Sequence, residues 1–253
     1  MLPTVDLQVT ELRMSVALLD KPTRTTAGPE RQTGLPPLQP GDRLTRAEFE
    51  RRYAAHPEIA KAELIEGVVY MPSPVRHILH GAPQLLVAGW IAVYLASTPG
   101  VDGGDNSTLR LDLENEPQPD VLLRLSSKLG GRSQVAADGY LEGAPELIVE
   151  ISASTASYDM NQKRHVYARN GVPEYLVYLS YDRRIVWHVL GDEGYRELAP
   201  DDDGILCSQV FPGLWLDPQA LLNGDMAQVL AVLQRGIASP EHRAFIERLT
   251  PAS

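Results

Sequence analysis

The run Leu147-Ile148-Val149-Glu150-Ile151 constrains this chain more than any other stretch. Apolar residues at both odd and even positions predict a strand covered on both faces, as in the middle of a sheet. Glu150 interrupts that run with a carboxylate. A charge in such a strand is costly unless something pairs with it. Two kinds of partner fit: a metal ion, or a basic side chain such as Lys163 or Arg164 a short way downstream.

The flanking pattern says where such partners would stand. Asp159 followed by Gln162 has the spacing of a capping box and predicts a helix starting there. Gly171, with Pro173 two residues on, predicts its end. On that helix Met160, Lys163 and Tyr167 share a face, and Lys163 lies about one turn in. A long lysine there can reach back to the end of the Glu150 strand. Upstream, Pro119-Asp120-Val121-Leu122-Leu123 reads as a second strand carrying an acid. Two carboxylates and a lysine suit metal-dependent phosphodiester hydrolysis. Asp120 and Glu150 would hold one or two Mg²⁺ ions, which prefer oxygen ligands, with Mn²⁺ able to substitute. The carbonyl of Ile151 would add a further oxygen. The metal would activate a water, and Lys163 would position it or stabilise developing negative charge.

The rest of the chain is ordinary. Residues 1–43 read as a flexible leader, since Thr23–Pro40 is rich in Pro, Gly, Thr and Gln without hydrophobic periodicity. The folded domain is expected over 44–222, with a helical tail over 223–253. Thr45 should cap a helix over Arg46–Ala55. Ala62–Met71 suggests two short strands bent at Gly67, and His77–Ser97 a long helix with Pro83 in its first turn or at a kink. Glu63 and Glu66 in the first strand are supplementary acids, of which only one can face the site, and Glu63 is preferred. Leu109–Leu113 and Pro119–Leu125 read as strands, and Ser126–Gly143 as a loop over or beside the site. Further strands are expected at Glu174–Leu179, Ile185–Leu190 and Tyr195–Leu198. Helices should follow at Pro218–Leu222 and Met226–Gly236.

Composition excludes several classes. The single cysteine, Cys207, rules out an internal disulfide framework and a multi-cysteine zinc site. It fits a reducing cytoplasm, the expected location, and the N-terminal region is a poor secretory signal. The run Leu85–Ala96 falls short of the roughly 20 residues of a membrane helix, so no membrane partner is expected. A formal net charge of -10 argues against broad non-specific nucleic-acid binding, though not against a local basic groove. Arg110, Lys128, Arg132, Lys163, Arg164 and Arg169 are the candidates for such a groove. His77 and His80, three apart on a helix, are weak evidence for zinc without a third ligand. Tyr167 and Tyr175 read as core aromatics. There is no nucleophile elbow, P-loop or dinucleotide fingerprint.

Glu63-Leu-Ile-Glu-Gly67, His77, Pro119-Asp120-Val121, Ala144–Ser152, Asp159–Lys163, Tyr167–Tyr175 and Phe211-Pro-Gly-Leu214 together, in this order and spacing, carry a resemblance. The chain resembles the Uma2 family, restriction-endonuclease-like proteins also catalogued as a domain of unknown function, in the PD-(D/E)XK nuclease superfamily. The resemblance runs from about Leu44 to about Leu222. It implies an α/β fold, a mixed sheet flanked by helices around a restriction-endonuclease-like core. It implies Asp120 as first acidic ligand and Glu150 as second. The superfamily's lysine usually stands two residues after the second acid, where this chain has Ser152. The family moves it to the next helix, and Lys163 matches that place. Leu176 and Leu179 stand where the family often has tryptophan and aspartate. The resemblance implies a Mg²⁺-dependent endonuclease acting on DNA. Nucleases that cut both strands are often dimeric, so a homodimer is one expectation for the assembly. The acidic charge and Leu179 motivate an alternative, a catalytically silent module of the same fold that binds nucleic acid or protein. Hydrolysis of another phosphoester is a third reading.

Overall fold

The computed structural model describes residues 34–72 and 74–250. Most of the expected leader, residues 1–33, lies outside the described residues. Leu38 is already buried against Phe49, Leu64 and Val69, so the packed body begins ahead of the Leu44 boundary.

A six-stranded mixed sheet organises the molecule. Its order runs Gly194–Glu197, Arg184–Gly191, Glu174–Leu179, Leu147–Ser152, Val121–Leu125, Val101–Asp105. Leu147–Ser152 is parallel to Glu174–Leu179 and antiparallel to Val121–Leu125. It is buried along its whole length, as a run apolar at both parities requires. Val121, Leu123, Val149 and Ile151 face one core with Trp90, Ile91 and Tyr94 of the His77–Ser97 helix. Leu122, Ile148 and Val177 face the other, with Val166, Tyr167 and Tyr175. Glu150, two residues beyond Ile148, therefore points toward the Tyr167 side.

His77–Ser97 is 21 residues long with mean hydropathy 1.5, enough to cross a membrane by length and composition. One face of it, through Val87, Trp90, Ile91 and Tyr94, is packed on the sheet. Its opening turn, His77–Gly81, is π-helical. Glu63–Ile65 and Val68–Tyr70 pair antiparallel. The reversal has positive φ at both Glu66 (52°) and Gly67 (71°), the geometry of a tight hairpin turn.

Three expectations need correction. The strand over Leu109–Leu113 stops at Arg110, because Asp112 accepts from Glu114 N (2.8 Å) and Asn115 Nδ2 (2.7 Å) and turns the chain. Leu113 ends up 76% exposed. Gly103-Gly104 lies within a strand, Val101–Asp105, at the sheet edge. A side chain at Gly103 would stand 3.0 Å from the Leu122 carbonyl, a reason for glycine in this strand. Ser126–Gly143 is not a loop over the site. It holds short strands at Gln134–Val135 and Leu141–Glu142 that pair into a separate small sheet with Leu109–Arg110. Arg124 Nε donates to Ser133 Oγ (3.0 Å) and Glu146 accepts from Arg132 N (3.2 Å), and these bonds hold the segment away from the site. The C-terminal segment is no appendage. Val229 and Leu233 of Met226–Ile237, with Phe245 and Leu249 of an unforeseen helix Pro240–Leu249, belong to the main core. Ser239 caps that last helix and Pro240 opens it.

Candidate active site

Antiparallel register sets Val121 opposite Val149, so one step further along the two strands Asp120 comes opposite Glu150. Strand parity puts both on the same face. Asp120 is fixed there by its Oδ2, which accepts from Ile151 N at 2.7 Å. The Nε2 of His80, from the π-helical turn, lies 3.3 Å from the same oxygen. Burial acts to raise the pKa of Asp120, but His80 and the Ile151 N–H outweigh it, and the carboxyl is held below its usual range.

Lys163 comes from the helical segment after the strand. That segment begins at Ala156, turns through a π-helical stretch at Asp159–Lys163, and continues as α-helix over Arg164–Arg169. Single π-turns inside helices are common at functional sites, since they re-aim side chains. Here the turn sends Lys163 inward, 4% exposed. Its Nζ donates to Glu150 Oε1 and to Glu63 Oε1, both at 2.9 Å, and lies 3.8 Å from Asp159 Oδ1. Tyr167, one turn on, donates its hydroxyl to the same Glu150 oxygen at 2.9 Å. Tyr167 and Tyr175 pack edge to face, 4.9 Å between centroids, which fixes the helix on the strand behind.

Asp159 is not the helix cap that its spacing predicts. The helix starts three residues earlier, so Asp159 sits inside it, 3% exposed. Its Oδ2 accepts from Ser152 Oγ at 2.6 Å. Ser152 is paired in register with Leu179, so this bond sets Asp159 beside the end of these two strands.

The balance of charge is one-sided. Glu63, Asp120, Glu150 and Asp159 line one cavity of about 590 Å³ with Lys163. Burial would lower the pKa of Lys163, but Glu150, Glu63 and Asp159 outweigh it and hold the ammonium charged. Burial pushes Glu150 up to about 8; Lys163 opposes this, and Asp120, Asp159 and Glu63 reinforce it. Burial likewise raises Asp159. Lys163 is the buried cation among these acids, while Lys61 and Arg76 stand elsewhere on the lining. The donors the cavity offers are carboxylate oxygens of Asp120 and Glu150 beside the main chain of Ile151, a hard oxygen set that suits Mg²⁺ or Mn²⁺. Among the described residues no group of three or more His, Cys, Asp and Glu side chains is arranged to hold a metal. Mg²⁺ commonly binds through one or two carboxylates, waters and substrate phosphate, which asks for no such cage.

Glu63, Asp120, Glu150, Ile151 and Lys163 are thus brought to one place. Glu66 is not; it occupies the hairpin turn and lies 3.8 Å from Arg169. Of the candidate basic groove only Lys163 lines the cavity. Arg110 pairs with Glu50 and Asp138, Arg132 bonds the Gly171 carbonyl, and Arg164 bonds the Tyr195 carbonyl. The other cations lining the cavity are Lys61 and Arg76, which sequence reasoning missed; His80, weighed there only as a weak zinc ligand, and Asp159, read as a cap, line it as well. Tyr158 also lines it, and its buried hydroxyl has no partner among the described residues.

Comparison with known proteins assigns the chain to a family. The family model described as "Putative restriction endonuclease", Uma2, matches residues 46–219, a span that includes Glu63, Asp120, Glu150 and Lys163. The class is that of nuclease-related proteins of restriction-endonuclease type. The match takes in well over half the chain, and the protein belongs to the Uma2 family. A solved structure of a putative nuclease belonging to DUF820 from Anabaena variabilis ATCC 29413 is similar, with 13% identity and a TM-score of 0.45. The likeness covers 64% of this chain and 90% of that one. No curated protein matches the chain.

Proposed function

We propose that this protein is a divalent-metal-dependent endonuclease that hydrolyses phosphodiester bonds of DNA. The observation that carries the reading is the convergence of Asp120, Glu150, Lys163 and Glu63 on one cavity from four separate segments of the chain. Buried acids are costly in a fold unless paired, and clusters of them with perturbed pKa values gather at functional sites. Asp120, Glu150 and the Ile151 carbonyl would hold Mg²⁺ or Mn²⁺. When bound, the ion supplies an activated water and neutralises phosphate charge.

The protein's own groups do the rest. Lys163 offers its Nζ to a non-bridging phosphate oxygen or to the attacking water, where charge develops. Glu63 and Glu150 aim that ammonium, and Tyr167 fixes the Glu150 carboxylate from behind. The Ile151 N–H leaves Asp120 little freedom to rotate. Purified protein with Mg²⁺ or Mn²⁺ should cleave DNA, and Glu150→Ala or Lys163→Ala should reduce cleavage by at least about 100-fold, as loss of a group stabilising transition-state charge does. Cleavage that survives both substitutions would sink the mechanism. DNA binding without any cleavage would favour a silent module of the same fold.

A further inference from the structure

The floor and the rim of the cavity differ in kind. Asp120, Glu150 and Lys163, on the floor, are 5%, 4% and 4% exposed. Val75 and Tyr181 line the same cavity yet are 69% and 60% exposed. Tyr181 stands in the tight turn between the Glu174–Leu179 and Arg184–Gly191 strands. Its neighbour Ser180 donates to the Leu79 carbonyl, which ties this turn to the first turn of the long helix. Arg76 Nη1 lies 3.5 Å from the Tyr181 hydroxyl. A ring so exposed contributes little to the core, yet the turn that carries it is rigidly fastened. Pro72, Pro74 and Leu79 also line the cavity and give it apolar surface, which suits a base or sugar rather than a phosphate.

These features discriminate between forms of DNA. A phosphodiester in a duplex is carried on a stacked, paired helix and moves only with its neighbours. To bring it to residues only 4–5% exposed, the duplex would have to give up stacking and pairing locally. A strand that is already single has no such cost. Exposed aromatic rings beside basic groups are how proteins hold single strands: bases stack on the ring and the cation tracks the backbone.

We infer that the site takes single-stranded DNA or an unpaired strand end, with the Tyr181 ring stacking a base next to the scissile phosphate and Arg76 contacting a flanking phosphate. The inference rests on the nuclease reading above and adds strandedness to it. The test compares a labelled 20-nucleotide single strand with the same strand in a blunt duplex, in Mg²⁺ or Mn²⁺. The single strand should be cut at least about 10-fold faster. Stacking is worth roughly 1–3 kcal/mol, or about 5- to 150-fold. Tyr181→Ala should therefore raise KM for the single strand within that range while kcat changes little, and Tyr181→Phe, which keeps the ring, should match wild type. Fluorescence anisotropy in EDTA gives a readout independent of cleavage: wild type should prefer the single strand, and Tyr181→Ala should lose that preference. Duplex cut or bound as well as the single strand, or a Tyr181→Ala variant with unchanged KM, would overturn the inference and leave the nuclease reading standing. Failure to cut either substrate with either metal would overturn both.

Discussion

Replacing Lys163 by methionine keeps the length of the side chain and removes the cation that faces Glu63, Glu150 and Asp159 at 2.9, 2.9 and 3.8 Å. At such separations unit charges attract by about 4 kcal/mol or more at the effective dielectric of a protein site. Most of that is offset by the cost of drying the charges. What survives is an asymmetry: removing one partner of a buried ion pair costs about 3–5 kcal/mol, because the other is left uncompensated. Against a domain stability of about 5–15 kcal/mol, the variant should fold with a narrowed margin. The orphaned acids can recover part of the loss by holding protons. Groups whose folded pKa lies above the unfolded value contribute stability at low pH and lose it as pH rises through the folded value. The loss should therefore be small near pH 5 and largest near pH 9. Urea unfolding at both pH values, followed through the buried Trp90–Trp187 pair, measures it. Adding Glu150→Gln to the variant should restore part of the stability at the higher pH, a coupling that a double-mutant cycle isolates. A loss under about 1 kcal/mol at pH 9, or an equal loss at both pH values, refutes the claim that Lys163 is held by this charge cluster.

Two other substitutions report on buried acids. Tyr167→Phe removes the hydroxyl that donates to Glu150. It should cost about 1–3 kcal/mol of stability, the range for hydrogen bonds to charged groups and for unsatisfied buried acceptors. Cleavage should slow as well, read as a fall in kcat at nearly constant KM, and unchanged kcat would remove Tyr167 from the positioning role. Away from the site, burial pushes Glu116 up to about 8 from the ordinary 4.5, reinforced by the neighbouring Glu50 carboxyl. The folded value lies above the unfolded one, so this group's stabilisation is complete below about pH 4.5 and is lost as pH rises through about 8. Glu116→Gln stays neutral and should raise the melting temperature at pH 9 by a few degrees, at about 2–4 °C per kcal/mol, with little effect near pH 4.5. A shift of the same size at both pH values would show that the proton on Glu116 is not the cause.

Elements whose own residues carry their boundary signals were readable in advance. The Leu147–Ser152 strand is visible because its burial on both faces is written at every position. The hairpin at Gly67 and the helix end at Gly171 are marked by glycines that the chain needs at φ of 71° and 76°. What escaped depends on distant partners. Val101–Asp105 contains two glycines and becomes a strand only through its pairing with Val121–Leu125. The short strands in 126–143 are held by Arg124 and Glu146, and neither bond is predictable from periodicity. The Pro240–Leu249 helix is a different case, since Ser239-Pro240 is a start signal legible in its own residues.

The site shows the same division more sharply. Strand parity and antiparallel register are enough to bring Asp120 and Glu150 to one face, and i, i+4 spacing is enough to set Lys163 and Tyr167 on one helix face, where both meet the same Glu150 oxygen. Periodic reasoning cannot see a π-helical turn, and both π-turns of the described residues line this cavity, one bringing His80 and the other Asp159 and Lys163. That also accounts for how a lysine can leave its usual seat. At position 152 it would rise from the same strand as Glu150 and its direction would follow from the pleat. At position 163 its aim depends on how the helix lies on the sheet, through Val166, Tyr167 and the edge-to-face contact with Tyr175. The vacated Ser152 then has a different task, donating to Asp159 and so holding the π-turn against the strand that carries Glu150. The placement of Lys163 in this protein is therefore a property of tertiary packing, with the small side chain at 152 as the point where helix and strand are joined.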